Sequence, residues 1–82
     1  MQQRYPLSMR LHATDNVVVA AVELSAGTEI RDEKIVCKDT IPFGHKIAAE
    51  FIAEGAPIRK YGQIIGFASG NIEPGEHIHT QN

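Results

Sequence analysis

The apolar residues of this 82-residue chain fall in short runs bounded by Gly, Pro, Asp or Asn, with little of the three-and-four spacing of a helix. One local pattern recurs four times: an apolar residue, two others, Gly, two others, then Ile. It stands at Leu24/Gly27/Ile30, Ile41/Gly44/Ile47, Ile52/Gly55/Ile58 and Ile72/Gly75/Ile78. The physical reading is an apolar anchor in the core and a turn through Gly, in a backbone geometry closed to residues with a Cβ, after which Ile re-enters the core. Pro42 and Pro74 support the turn at two copies.

The β-branched and apolar runs predict strands of about four to seven residues. They cover 16–22, 34–37, 57–61, 64–68 and 77–80. The longest helical candidate, His45 to Ala53, is interrupted at once by Gly55 and Pro57, which leaves at most one or two helical turns. Turns this frequent leave no room for right-handed βαβ crossovers, so a parallel sheet is excluded. The expectation is a mainly β fold, a small β-clip-like bent antiparallel barrel. Residues 1–10, with Pro6 and no pattern, read as a flexible tail, and residues 11–82 as one domain.

Composition narrows the function classes. A domain of this length buries only about 60–65% of the surface of its unfolded chain, so its core is thin. No apolar run approaches the roughly 18 residues of a membrane span, and Met1 to Arg10 has no apolar stretch like a signal peptide's. A cytoplasmic location without a membrane partner is therefore expected. Cys37 is the single cysteine, which excludes an internal disulfide and a cysteine-only metal cage within one chain. It reads as an ordinary strand side chain. The formal net charge of −2, with both signs interspersed and no basic stripe, argues against nucleic acid as a partner.

The residues with chemistry sit beside the turns, where a scaffold holds binding groups. His77-Ile78-His79 is the sharpest local feature, because strand alternation puts both imidazoles on one face. Two such rings can chelate a metal ion, with a third ligand needed from Glu76, His12, His45 or another chain; the plain alternative is two solvated histidines. His45-Lys46 after Gly44 offers an imidazole donor and an ammonium to a carboxylate, or is merely an exposed turn. Lys60-Tyr61 before Gly62 offers a cation and a phenol, or a core Tyr with its hydroxyl at the rim. In His12-x-x-Asp15-Asn16, Asp15 and Asn16 suit a tight turn leading into Val17; the functional alternative is His12 as a proton carrier oriented by Asp15. A Ser/His/Asp set, a Gly-rich phosphate loop and an aromatic platform are all missing, so a self-contained active site is not visible.

Taken in order, these segments resemble a known family. They are His12-x-x-Asp15-Asn16-Val17, Ile41-Pro42-x-Gly44-His45-Lys46-Ile47-Ala48, Lys60-Tyr61-Gly62-x-x-Ile65-Gly66-x-Ala68 and Ile72-x-x-Gly75-Glu76-His77-Ile78-His79-x-x-Asn82. Together they look like the SAF-type amino-terminal domain of altronate and galactarate dehydratases, with the resemblance running from His12 to Asn82. It implies a β-clip-like module of a much longer hydro-lyase, in which a sugar acid loses water to give a 2-keto-3-deoxy acid with a divalent metal, usually iron. The large catalytic region or subunit of that enzyme and the sugar acid are the implied partners, and pairing with a copy of itself is a further option for a β domain with short edges.

The mechanism so implied removes the proton α to a carboxylate while a Lewis acid helps hold the substrate and the departing hydroxide. Carried onto this sequence, His12, Asn16, His45, Lys46, Lys60 and Tyr61 are the substrate-side candidates and His77 and His79 the metal candidates. Family members often continue the His-x-His with a further histidine where this chain has Gln81, so the third ligand on this strand would be an amide oxygen or come from elsewhere. The expected role is an accessory domain, inactive alone, in a longer enzyme. One alternative is the separate small subunit of an enzyme resembling sulfolactate sulfo-lyase, and another is a non-catalytic carbohydrate-binding or assembly module.

Overall fold

The computed structural model describes residues 6–78. Among them, β1 is Ser8–Met9, β2 Val17–Ala20, β3 Glu29–Ile30, β4 Ile35–Val36, β5 Lys46–Ala48, β6 Pro57–Lys60, β7 Gln63–Phe67 and β8 His77–Ile78. All pairings are antiparallel. They form a four-stranded sheet in the order β1-β2-β5-β8 and two hairpin sheets, β3-β4 and β6-β7. The fold is mainly β, as the turn spacing predicts, with its strands divided among separate sheets. No helix among the described residues is long and apolar enough to cross a membrane.

The fourfold turn is the organising unit. Gly27, Gly44, Gly55 and Gly75 all have positive φ, and in each copy the N–H after the Gly donates to the carbonyl three residues back. These are β-turns with Gly third, the position that type II geometry reserves for it. Each turn is gripped by one small buried residue elsewhere: Cys37, Ala20, Ala68 and Ala48 respectively. The carbonyl of that residue accepts the N–H of the turn Gly, and its N–H donates to the carbonyl of the next residue. Four copies of one sequence pattern thus make four copies of one main-chain clamp.

The anchors before the turns pair with one another, Leu24 with Ile41 and Ile52 with Ile72. The core accordingly splits into two clusters. One holds Val18, Ala20, Leu24, Ile30, Ile35, Cys37, Ile41 and Ile47, and the other Val17, Ala48, Ile52, Ile58, Ala68, Ile72 and Ile78. Val17 and Val18 of β2, and Ala48 and Ile47 of β5, feed opposite clusters, so these two strands run between the two halves of the core.

Three expectations change. The helical candidate beginning at His45 is instead strand β5, held between β2 and β8; neighbouring ladders override a weak local pattern. Among the described residues the one helical turn is a 3-10 turn at Arg31–Glu33. Part of the stretch assigned to a flexible tail is structured, because Ser8 and Met9 pair with Ala20 and Val19. Cys37 follows β4 directly and is buried, and burial raises its thiol pKa.

Candidate functional site

Two polar clusters sit on this frame. The first lies where residues 10–16 meet the β6-β7 hairpin. The connection Tyr61-Gly62 has positive φ at both residues, a type I′ turn, and both of its N–H groups donate to the Asp15 carboxylate at 2.8 Å. Next to it, Asn16 uses both ends of its carboxamide on β6: Nδ2 donates to the Pro57 carbonyl at 2.9 Å, and Oδ1 accepts the Arg59 N–H at 2.8 Å. Asp15 and Asn16 are 3% and 7% exposed, which makes them internal supports of the hairpin.

Burial by itself would raise the Asp15 carboxyl pKa. The Gly62 and Tyr61 N–H groups, then the nearby His12 and Arg10, outweigh it and hold the group below its ordinary value. Arg10 extends the network by donating to the Asp15 main-chain carbonyl and to both Glu33 carboxylate oxygens. The Asp15 N–H donates to the His12 main-chain carbonyl at 3.1 Å, while the bonds of the His12 ring go to Thr14 and not to the Asp15 carboxylate. The ring Nδ1 lies 2.9 Å from Thr14 Oγ1, and the ring covers Gly62 so closely that a Cβ there would meet it at 3.0 Å. Tyr61 is exposed at the hairpin tip and Lys60 half-buried beside it.

The second cluster is built by the second and fourth turns. His45 ends one turn and His77 follows the other, and the β5-β8 pairing brings them side by side. His45 Nδ1 is 2.9 Å from His77 Nε2, with the rings tilted by 34° and their centres 5.1 Å apart. One nitrogen donates and the other accepts, so this pair can hold a proton and pass it between rings. Lys46 is half-buried on β5 opposite Ile78 and makes no ion pair among the described residues. Asp39 completes the group. Its Oδ2 accepts the His77 N–H at 3.0 Å, while the Lys38 N–H donates to the Gly75 carbonyl.

The structure therefore brings His45 and His77 together, and sets His12 against the Tyr61-Gly62 turn. Asp39 was not a sequence candidate, because it carries no motif and meets His77 only through the fold. His79 lies outside the described residues, as do Gln81 and Asn82. Among the described residues no three His, Cys, Asp or Glu side chains converge as a metal site. Two imidazoles already bonded to each other fall short of the three protein ligands usual in a catalytic divalent site.

Comparison with known proteins agrees with this architecture. The altronate/galactarate dehydratase SAF domain family matches residues 6–82. The chain is 40% identical to altronate dehydratase of Escherichia coli (strain K12) over 76 residues, 90% of this chain and 15% of that protein. Identity to altronate dehydratase of Bacillus subtilis (strain 168) is 42% over the same length and coverage. Subunit alpha of (2R)-sulfolactate sulfo-lyase from Paracoccus pantotrophus is 39% identical over 51 residues, 62% of this chain and 76% of that subunit. The chain thus spans about 15% of the length of the two dehydratases it matches. By its match over nearly its whole length, it belongs to the SAF domain family of altronate and galactarate dehydratases.

Proposed function

We propose that this domain forms the substrate-facing side of a sugar-acid hydro-lyase of the altronate or galactarate dehydratase type. The observation that carries the reading is the His45–His77 pair, exposed at His45 and half-buried at His77, on two Gly-built corners in a chain of that family. The two imidazoles can give up their mutual bond for a substrate carboxylate or hydroxyl, and Lys46, paired with Ile78 on the other face of β5, is the positive charge this chain would offer an acid substrate from that side. Passing a proton between the two rings suits a reaction that moves one from the carbon α to a carboxylate and protonates a departing hydroxide. A divalent metal, iron in this proposal, would when bound supply Lewis-acid polarisation of the substrate. Its ligand set lies mainly in the rest of the enzyme, with His77 and His79 as the contribution proposed for this chain. The setting is cytoplasmic sugar-acid breakdown.

The test is turnover of altronate and of galactarate by the enzyme that contains this domain, followed by keto-acid formation. Replacing His45 or His77 by Ala is expected to lower kcat/KM by roughly 100-fold or more, the range for loss of a proton-transferring group. Unchanged turnover in both variants would overturn the assignment. A second reading is favoured by the coverage of the sulfo-lyase alpha subunit, which this chain matches over 76% of its length. Sulfite release from (2R)-sulfolactate in the presence of a large partner chain, with no dehydration of altronate or galactarate, would select it.

A further inference from the structure

One strand contributes almost nothing to the domain that carries it. In β7, Ile64, Ile65 and Phe67 are 54%, 48% and 60% exposed, and Tyr61 at the adjoining tip is 69% exposed. Phe43, in a turn, and Phe51, in the loop before Ile52, by contrast stand singly. Only Gly66 stands across from the buried Ile58, so β7 sends no large side chain inward. From Gln63 to Ala68 the chain has no charge and no Pro, two of the usual protections of an open strand edge; its one irregularity is the register shift opposite Ile58 and Arg59, which leaves Ile65 without a partner on β6.

This exposure is built in. β6 is pinned along its outer edge by Asn16, and the hairpin tip by Asp15. Ile58 and Ala68 seat its base in the second core cluster. A hairpin fixed this firmly cannot fold back to cover Ile64 and Phe67. Among the described residues, no main-chain hydrogen bond joins Gln63–Phe67 to anything but β6. An apolar row beside an open row of N–H and C=O groups is what strand addition requires of its acceptor.

We propose that β7, with Tyr61, is the docking edge by which this domain seats on the large catalytic part of its enzyme, taking an extended apolar segment of it. The proposal rests on the function proposed above. What selects this occupant over a second copy is length: the matched dehydratases carry this segment as 15% of themselves, so most of each protein lies outside it. The 39–42% identity with a dehydratase and with a separate alpha subunit also extends one scaffold to covalent and non-covalent assemblies.

Amide hydrogen exchange tests it, measured on the complete enzyme and on the 82-residue chain alone, each as wild type and as Ile64→Lys or Phe67→Lys. Amides of Gln63–Phe67 are expected to exchange at least tenfold more slowly in the complete enzyme, and to lose that protection in both Lys variants. Both positions are exposed, so the isolated variants should keep the wild-type Tm; a fall would be answered by Ile65→Ser, which adds no charge. Equal exchange in the two wild-type proteins overturns the proposal. So does protection of the isolated chain that grows with its own concentration, which assigns the edge to a second copy. The readout is independent of turnover: an enzyme that protects β7 but ignores His45→Ala separates this inference from the function it rests on.

Discussion

Asp15 with Asn16, and His45 with His77, look alike in sequence: each is a polar pair beside a turn. The fold uses them differently. Every bond made by the Asp15 carboxylate and the Asn16 amide goes to main chain of the β6-β7 hairpin, and both residues are buried. The two imidazoles bond to each other, with His45 exposed and His77 half-buried. A buried acceptor turned toward main-chain N–H groups is closed to a ligand by its burial, and removing it strands those donors. A pair with one ring exposed can exchange its partner at little cost. Burial and the identity of the partner, more than residue type, separate support from chemistry.

The largest effect that can test this contrast lies in the turn beneath His77. A Cβ on Gly75 would sit 1.9 Å from the Val36 carbonyl oxygen at φ +91°, whereas on Gly27, at φ +93°, it would meet nothing within 4 Å. Gly27→Ala therefore carries the left-handed backbone penalty alone, about 1–2 kcal/mol. Gly75→Ala adds a main-chain collision and should lose more than about 3 kcal/mol, with Tm lower by more than about 12 °C. Equal losses in urea unfolding would show that the fourth turn is no more closely packed than the first. Next in size are Asp15→Ala and Asn16→Ala, each expected to cost about 1–3 kcal/mol by leaving hairpin N–H groups without acceptors.

Much of this frame is legible in the sequence because a positive φ writes Gly into it, and four copies at one spacing make the requirement visible. Strand positions after each turn are legible for the same reason, since Ile30, Ile47, Ile58 and Ile78 all return to the core. β1 is not legible: Ser8 and Met9 have no pattern of their own and are strand only because β2 offers them a ladder. The course of β2 and β5 between the two halves of the core is also invisible to a search for alternation. At the site, the turns place His45 and His77 correctly at strand ends, but their contact spans 32 positions and depends on the β5-β8 register. Asp39 reaches His77 across 38 positions, with no periodicity to mark it.

Acid sharpens the same contrast. Asp15 is held below its ordinary value of 3.8, so between its folded value and 3.8 the unfolded chain binds more protons than the folded one. Its contribution is complete above that range and is lost as pH falls through the folded value. Wild-type unfolding free energy should therefore drop on acidification below about pH 4. Asp15→Asn should be less stable at neutral pH and should show a shallower acid limb in urea titrations read by circular dichroism. An identical acid limb in the variant would assign the slope to other carboxylates.

The smallest stability effect belongs to the histidines. In His45→Ala the main-chain bonds of the turn remain, because the His45 N–H to Pro42 and the Ala20 N–H to the His45 carbonyl do not involve the ring. In His77→Ala the N–H to Asp39 likewise survives. Both variants lose the contact between the two rings, and each should lose less stability than Asp15→Ala. Urea unfolding of both variants beside Asp15→Ala makes the comparison direct. Losses as large as that of Asp15→Ala would make the imidazole pair a second structural peg, and the distinction between the two clusters would collapse. A small loss in stability together with a large loss in turnover would place the chemistry of this domain on the pair that the fold can spare.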